Sequence, residues 1–175
     1  MKSTHVLLLS LLAAVGIWWM LTSPGEGDAA IRARLDIVEQ LLVKEADEKA
    51  LESADRARRM AELLAPSFVL YLDPIHQEIR DPAALARPFV GFRQGVERLE
   101  VDFHGVEIDV DPDAGRATST MVVSLRSNGA AGGRSAGADG RRGAYDASIR
   151  WLRNGDWLIE ELKAVEISGG VPLFD

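Results

Sequence analysis

The sequence predicts an α+β fold, with N-terminal helices packed on one face of a mostly antiparallel sheet. Two observations carry this expectation. Ile31, Leu35, Val38 and Leu42 recur at steps of four, three and four, the spacing of one helical stripe. Residues 144–153 and 156–167 alternate apolar with polar residues around Asn154-Gly155, a dipeptide suited to a tight type I′ hairpin turn. Helices first and meandering strands afterwards is the order of an α+β architecture.

The elements follow from local chemistry. Thr22-Ser-Pro-Gly-Glu-Gly breaks any preceding helix, and Asp28 is a suitable N-cap for the first helix of the body. Glu45 and Lys49 make a favourable i,i+4 pair, so the helix runs on or bends before the apolar stripe resumes at Met60, Leu63 and Leu64; Pro66 then stops it. Phe68-Val-Leu-Tyr-Leu-Asp73 reads as a strand ended by Asp73-Pro74. Asp81-Pro82 pairs an N-cap with a first-turn proline, opening a helix with Leu85, Phe89 and Phe92 on one face and a kink or split at Pro88.

In the next strand, Leu99, Val101 and Phe103 share one parity, whereas Val106, Ile108 and Val110 share the other. A one-residue bulge at Gly105 keeps both halves on the core. Asp111-Pro-Asp-Ala-Gly115 is a turn, and Thr118 to Leu125 is the return strand with Met121, Val123 and Leu125 inward. Ser127 to Gly143 contains six glycines and reads as an irregular, solvated loop, although Arg134, Arg141 and Arg142 give it anion-binding potential.

Composition bounds the function. Of 175 residues, 47% are hydrophobic and 27% charged, which is globular, and a net charge of −7 offers no general attraction to nucleic acid. With no cysteine, disulfides, thiol catalysis, thiolate metal sites and a lipidated cysteine are excluded. Residues 6–21 carry no charge, and Trp18 and Trp19 lie near the far end, where indoles favour a membrane interface. The expected organisation is a membrane anchor or signal segment at 1–23, a linker at 24–29, one domain at 30–168 and a tail at 169–175. Retention as a single-pass anchor is the reading preferred over cleavage, because no clear small-x-small site follows. Lys2 and His5 on the short side place the N-terminus in and the domain outside, which is the periplasm in a Gram-negative bacterium.

The long first helix, Phe68-Val-Leu-Tyr-Leu leading to Asp81-Pro-Ala-Ala-Leu-Ala-Arg-Pro-Phe, the strand-turn-strand from Val106 to Thr118, and Arg150-Trp-Leu-Arg-Asn-Gly-Asp-Trp-Leu-Ile resemble the nuclear transport factor 2-like superfamily, with its SnoaL-like and ketosteroid-isomerase-like members. The resemblance covers residues from about 30 to 168 and implies a strongly bent, mostly antiparallel sheet wrapped around the helices, a cystatin-like cone with an apolar mouth, often dimerising through its sheet. It also implies that enzymes of this kind place a carboxylate or histidine base and a tyrosine or protonated acid inside the cone. Here the available pieces are Tyr71, His76, Asp102, His104 and Tyr145. The first helix lacks a tyrosine, and Asp102 and His104 have the solvent parity, so no catalytic residue is assigned. Tyr145 has the better parity, aligned with Ala147, Ile149 and Trp151.

His5, His76 and His104 are too scattered for a metal site, and the glycines form no nucleotide-binding pattern, so no metal or cofactor is expected. The residues expected to line the cone are Tyr71, Phe89, Phe92, Phe103, Tyr145 and Trp151. The functional expectation is a membrane-tethered, non-catalytic domain that binds a partner protein or a small apolar ligand, with a homodimer as one form of association. The alternative is a small isomerase-, dehydratase- or hydrolase-like enzyme using the cone.

Overall fold

A computed structural model describes residues 26–72, 77–128 and 141–167. The expected anchor at 6–21, Asp73-Pro74, His76, Arg134 and the tail lie outside the described residues. Among the described residues no helix is long and apolar enough to cross a membrane.

Helix α1 (Glu26–Leu42) begins before Asp28, which is therefore not its N-cap. Asp28 sits in the first turn, where a negative charge complements the helix dipole, and its carboxylate accepts from Arg32 Nε at 2.6 Å. Ile31, Leu35, Val38 and Leu41 are buried along one stripe, with Leu42 beside them half-buried. The helix ends without glycine or proline because the chain turns into sheet pairing. Lys44 exchanges both backbone hydrogen bonds with Leu99, at 2.9 and 3.0 Å. Glu45 and Lys49 consequently do not form a helical pair; Lys49 becomes the N-cap of α2 (Ala50–Ala61), where the Glu52 carboxylate accepts its N–H.

Strand β1 (Leu64–Leu72) starts earlier than its apolar run suggests. Pro66 lies within it and does not stop the preceding helix, which has already ended. The ladder to the neighbouring strand shifts between Leu64 and Val69, an irregularity that tolerates a residue with no donor. Strand β2 (Gln77–Ile79) pairs antiparallel with β1. Three residues are too few to show a period, so it leaves no signature in the sequence.

Helix α3 (Pro82–Gly95) is capped by Asp81, whose carboxylate accepts from the Ala83 N–H at 2.9 Å. It is not split at Pro88. The missing donor leaves the carbonyl of Ala84 to be satisfied by water, and Ala84 is exposed.

Strands β3 (Arg98–Asp111), β4 (Arg116–Asn128), β5 (Arg141–Asn154) and β6 (Asp156–Glu166) continue the sheet in the order β2-β1-β6-β5-β4-β3. Only β1 and β6 run parallel; the other pairs are antiparallel. The expected bulge is present: His104 faces Val122 and Glu107 faces Thr120, so two residues oppose Met121, and Gly105 adopts φ +62°. Nothing lies within 4 Å of a Cβ built on Gly105. Gly105→Ala should therefore cost only the conformational penalty of a left-handed residue, about 1–2 kcal/mol. Gly91→Ala in α3, also with open space around it, should instead stabilise by roughly 0.5–1 kcal/mol. Opposite shifts of the denaturant midpoint check the pair.

The final hairpin is present, but its turn is not the two-residue form. Asn154 pairs with Asp156 around a single Gly155 at φ +74°, an odd-membered connection. The offset is absorbed within β6, where Trp151 faces Ile159 but Arg150 faces Glu161, leaving Glu160 as the extra residue. Trp157 and Ile159 thus face inward before this bulge, and Leu162 and Ala164 after it. Helices α1 and α3 pack on the sheet and α2 packs against them, and one core joins Ile31, Leu35 and Val38 of α1 to Phe68, Met121, Ile149, Trp151 and Ile159 of the sheet.

Candidate functional site

The core does not fill the space under the helices. A cavity of about 290 Å³ lies between α3, the end of α1 and the inner faces of all six strands. That is close to the lower end of small-ligand pockets, roughly 300–1,000 Å³. Its floor consists of buried residues, among them Met60, Phe68, Met121, Ala147 and Ile149, while half-buried Leu72, Ile79, Leu85, Phe89 and Tyr145 lie nearer its mouth. Apart from Tyr145 and Arg93 its lining residues are apolar.

Of the residues expected to line the cone, Phe89, Phe92, Phe103 and Tyr145 do so. Tyr71 does not. Phe68, Leu70 and Leu72 take the inner face of β1, and strand alternation sends Tyr71 to the outer face, where its ring meets Lys163 Nζ at 5.4 Å from the centroid. The run is apolar on both faces, which hid that alternation. Trp151 shares the parity of Tyr145 but stands six residues along β5, roughly 20 Å away. There it is packed solid, 1% exposed, and its Nε1 donates to Ser119 Oγ at 2.9 Å. It supports the core beside the cavity. Asp102 and His104 are exposed, as their parity requires. Among the described residues no group of three or more histidine or acidic side chains is placed to hold a metal.

Arg93 is the polar residue that sequence reasoning missed. It is fully buried, and all five of its N–H donors have acceptors. Nε donates to Glu48 Oε1 at 2.9 Å, and Nη2 to Glu48 Oε2 and to the Val43 carbonyl at 2.9 Å. Nη1 donates to the carbonyls of Leu41 at 3.0 Å and Leu42 at 2.7 Å. These carbonyls are the unpaired C-terminal end of α1, so one guanidinium caps that helix and ties it to α2 and α3. Lys44 Nζ donates in turn to the Arg93 carbonyl at 2.7 Å. The guanidinium also stands 5.5 Å from the centroid of Phe89. One signal existed in the sequence: Arg93 follows Phe89 by four residues, on the stripe assigned to the core.

Burial would raise the Glu48 carboxyl, but hydrogen bonds from Arg93 and Ser53 and the charges of Arg93 and Arg56 outweigh it and hold the group below its ordinary value. The arginine's donors are thus fully committed to structure, and none is free to serve chemistry in the cavity. Tyr145 is the other polar residue of the lining. Burial, and then the charge of Glu166, push its hydroxyl above the usual tyrosine value, so it stays protonated at neutral pH.

No family model and no curated protein matches the chain. Solved structures do resemble it. An uncharacterised protein with a cystatin-like fold from Caulobacter vibrioides is 14% identical, with 83% of this chain and 92% of that one covered and a TM-score of 0.60. A hexachlorocyclohexane dehydrochlorinase, LinA type 2, is 12% identical over 82% and 88%, with a TM-score of 0.62. A provisionally named scytalone dehydratase from Novosphingobium aromaticivorans is 12% identical over 80% and 83%, with a TM-score of 0.60. At these identities the likeness is one of fold alone: helices on an open, six-stranded mixed sheet, in the cystatin-like arrangement.

Proposed function

We propose that this domain is a non-catalytic binder of a small, largely apolar molecule, held in the cavity between α3 and the sheet. The observation that carries this reading is the lining itself: among the described residues it holds no carboxylate or histidine, and the guanidinium of Arg93 is consumed by Glu48 and the end of α1. A hydrocarbon surface leaving water for such walls gains about 25 cal/mol for each Å² buried. Shape and dryness, with the Tyr145 hydroxyl in the lining, favour an apolar body.

The test is titration of the purified full chain with pyrene, whose emission fine structure reports an apolar environment. Saturable binding is expected, and Ala147→Phe, which fills the floor of the cavity, should abolish it in the same buffer and detergent. Binding that survives this substitution would place the probe elsewhere and remove the support for the reading.

The reading includes a tether. Residues 6–21 are uncharged over a length at the lower edge of a membrane span, which supports a single-pass anchor with the domain outside the cytoplasm. Fractionation should find the chain in the membrane and not released by carbonate. A soluble mature protein beginning between about residues 22 and 30 would instead show export with cleavage.

One observation favours the alternative, an isomerase-, dehydratase- or hydrolase-like enzyme: Tyr145, which lines the cavity, is paired directly with Glu166 across β5 and β6. Its signature would be a turnover lost in Tyr145→Phe with the fold unchanged.

A further inference from the structure

The inner end of β5 and β6 holds a polar arrangement that the apolar cavity does not explain. Tyr145 is paired directly with Glu166, and directly opposed residues of an antiparallel ladder project to the same face. Leu162 and Ala164, of the same parity as Glu166 and beyond the β6 bulge, line the cavity. Glu166 therefore projects to the cavity side of the sheet, two residues beyond Ala164, and its charge reaches the Tyr145 hydroxyl. The backbone there is held in place: the Ile167 N–H donates to the Ala144 carbonyl at 2.9 Å.

Two further features mark the place. Glu166 Oε1 is a buried oxygen with no hydrogen-bond partner among the described residues. Burying a carboxylate oxygen without a donor is costly, and native proteins rarely leave one so. Gly143 is the second feature. A Cβ at this position would lie 2.9 Å from Tyr145 Cε2 and 3.3 Å from its hydroxyl, so the tyrosine ring is laid back along its own strand over Gly143, where a side chain would push it aside. The glycine thus positions the hydroxyl toward the strand end, the same end as Glu166.

We propose that Tyr145 and Glu166 form the head-group subsite of the cavity and select an apolar molecule bearing a protonated amine. This deepens the proposed function and rests on the cavity binding an apolar body. An ammonium supplies the donors that the carboxylate lacks, in charge-assisted hydrogen bonds, and the electron-rich face of Tyr145 attracts the same cation. The apolar body then occupies the space bounded by Phe89, Phe103 and Leu162. A neutral alcohol offers one uncharged donor and a carboxylic acid would be repelled, so the head group and not the body sets the selectivity.

The experiment compares 2-(1-naphthyl)ethylamine with 2-(1-naphthyl)ethanol, which share one apolar body, by calorimetric titration of the full chain at neutral pH. The amine should bind at least about tenfold more tightly, the weight of one charge-assisted contact. In Glu166→Gln the preference should fall to within about twofold, chiefly through weaker binding of the amine. The fold should survive this substitution, because it removes a charge that lacks a partner; the wild-type comparison decides the matter even if it does not. Equal binding of the two compounds, or a preference that persists in Glu166→Gln, overturns the assignment. If pyrene binds and neither naphthyl compound does, the subsite fails while the cavity reading stands. If pyrene also fails to bind, the cavity reading falls first.

Discussion

Arg93→Ala should destabilise the domain by about 3–5 kcal/mol, the cost of leaving a buried charge without its partner. Two losses combine. The Glu48 carboxylate, whose side chain is 3% exposed, loses the guanidinium that holds it ionised, and the last carbonyls of α1 lose their donors. Arg93→Lys should recover little, since a compact ammonium cannot reach three carbonyls and both oxygens of a carboxylate at once. The pH dependence has a defined sign. In the wild type the Glu48 carboxyl is depressed, so its contribution is fully present above the unfolded-state value near ~4.3 and is lost as pH falls through the lower folded value. Without Arg93, only Ser53 and Arg56 are left to oppose burial, so the carboxyl rises from its depressed value. The deficit of Arg93→Ala should therefore be greatest at neutral pH and shrink as acid protonates Glu48, which denaturant titrations at several pH values would reveal. A deficit independent of pH would mean that packing, not charge, is what Arg93 supplies.

Trp151→Ala should cost a similar amount, roughly 3–5 kcal/mol, because it empties the volume of a fully buried indole near the C-terminal end of β5. The hydrogen bond can be separated from the packing. Trp151→Phe keeps most of the apolar contact but leaves the Ser119 hydroxyl, 0% exposed, without its donor, a loss of about 1–3 kcal/mol. Adding Ser119→Ala to Trp151→Phe should then recover part of it, since removing both partners is less harmful than orphaning one. Midpoints of denaturant unfolding for the three variants check the order. If Ser119→Ala made Trp151→Phe worse, the serine would be working for something other than the indole.

The parts of the fold legible in the sequence are those carried by periodicity or by a residue with one strong local preference. Gly105 between two apolar parities could be read as a bulge, and Asp81-Pro82 as a helix start, because each local signal agrees with the tertiary arrangement. What was not legible depends on contacts between distant segments. Nothing near Leu42 announces the end of α1, since the residues that end it are Leu99, which pairs with Lys44, and Arg93, which takes the carbonyls. The β6 bulge was hidden for a different reason. Trp157 and Ile159 have one parity and Leu162 and Ala164 the other, but the intervening Glu160 and Glu161 blur the switch, and the Asn154-Gly155 dipeptide suggested a register one residue different.

The candidate site divides in the same way. Phe89, Phe92, Phe103 and Tyr145 were recognisable as inward-facing aromatics, because each sits on a clear stripe or alternation. Tyr71 was not distinguishable, since its strand is apolar on both faces, and distance along β5 kept Trp151 out of a cavity that its parity suggested. Glu166 was invisible as a site residue: its significance lies in the pairing with Tyr145 and in an unpartnered oxygen, neither of which spacing can show.

The central claim is that the space under α3 is a binding cavity and not slack in a core, and methionine methyl resonances read it directly. The chain has four methionines, of which Met60 and Met121 line the cavity, whereas Met1 and Met20 precede the described residues. In the methyl carbon–proton spectrum of the full chain labelled at methionine, saturation with pyrene should shift Met60 and Met121 through the ring current of the bound hydrocarbon and leave Met1 and Met20 in place. Pyrene that binds while Met60 and Met121 stay where they were would contradict the account.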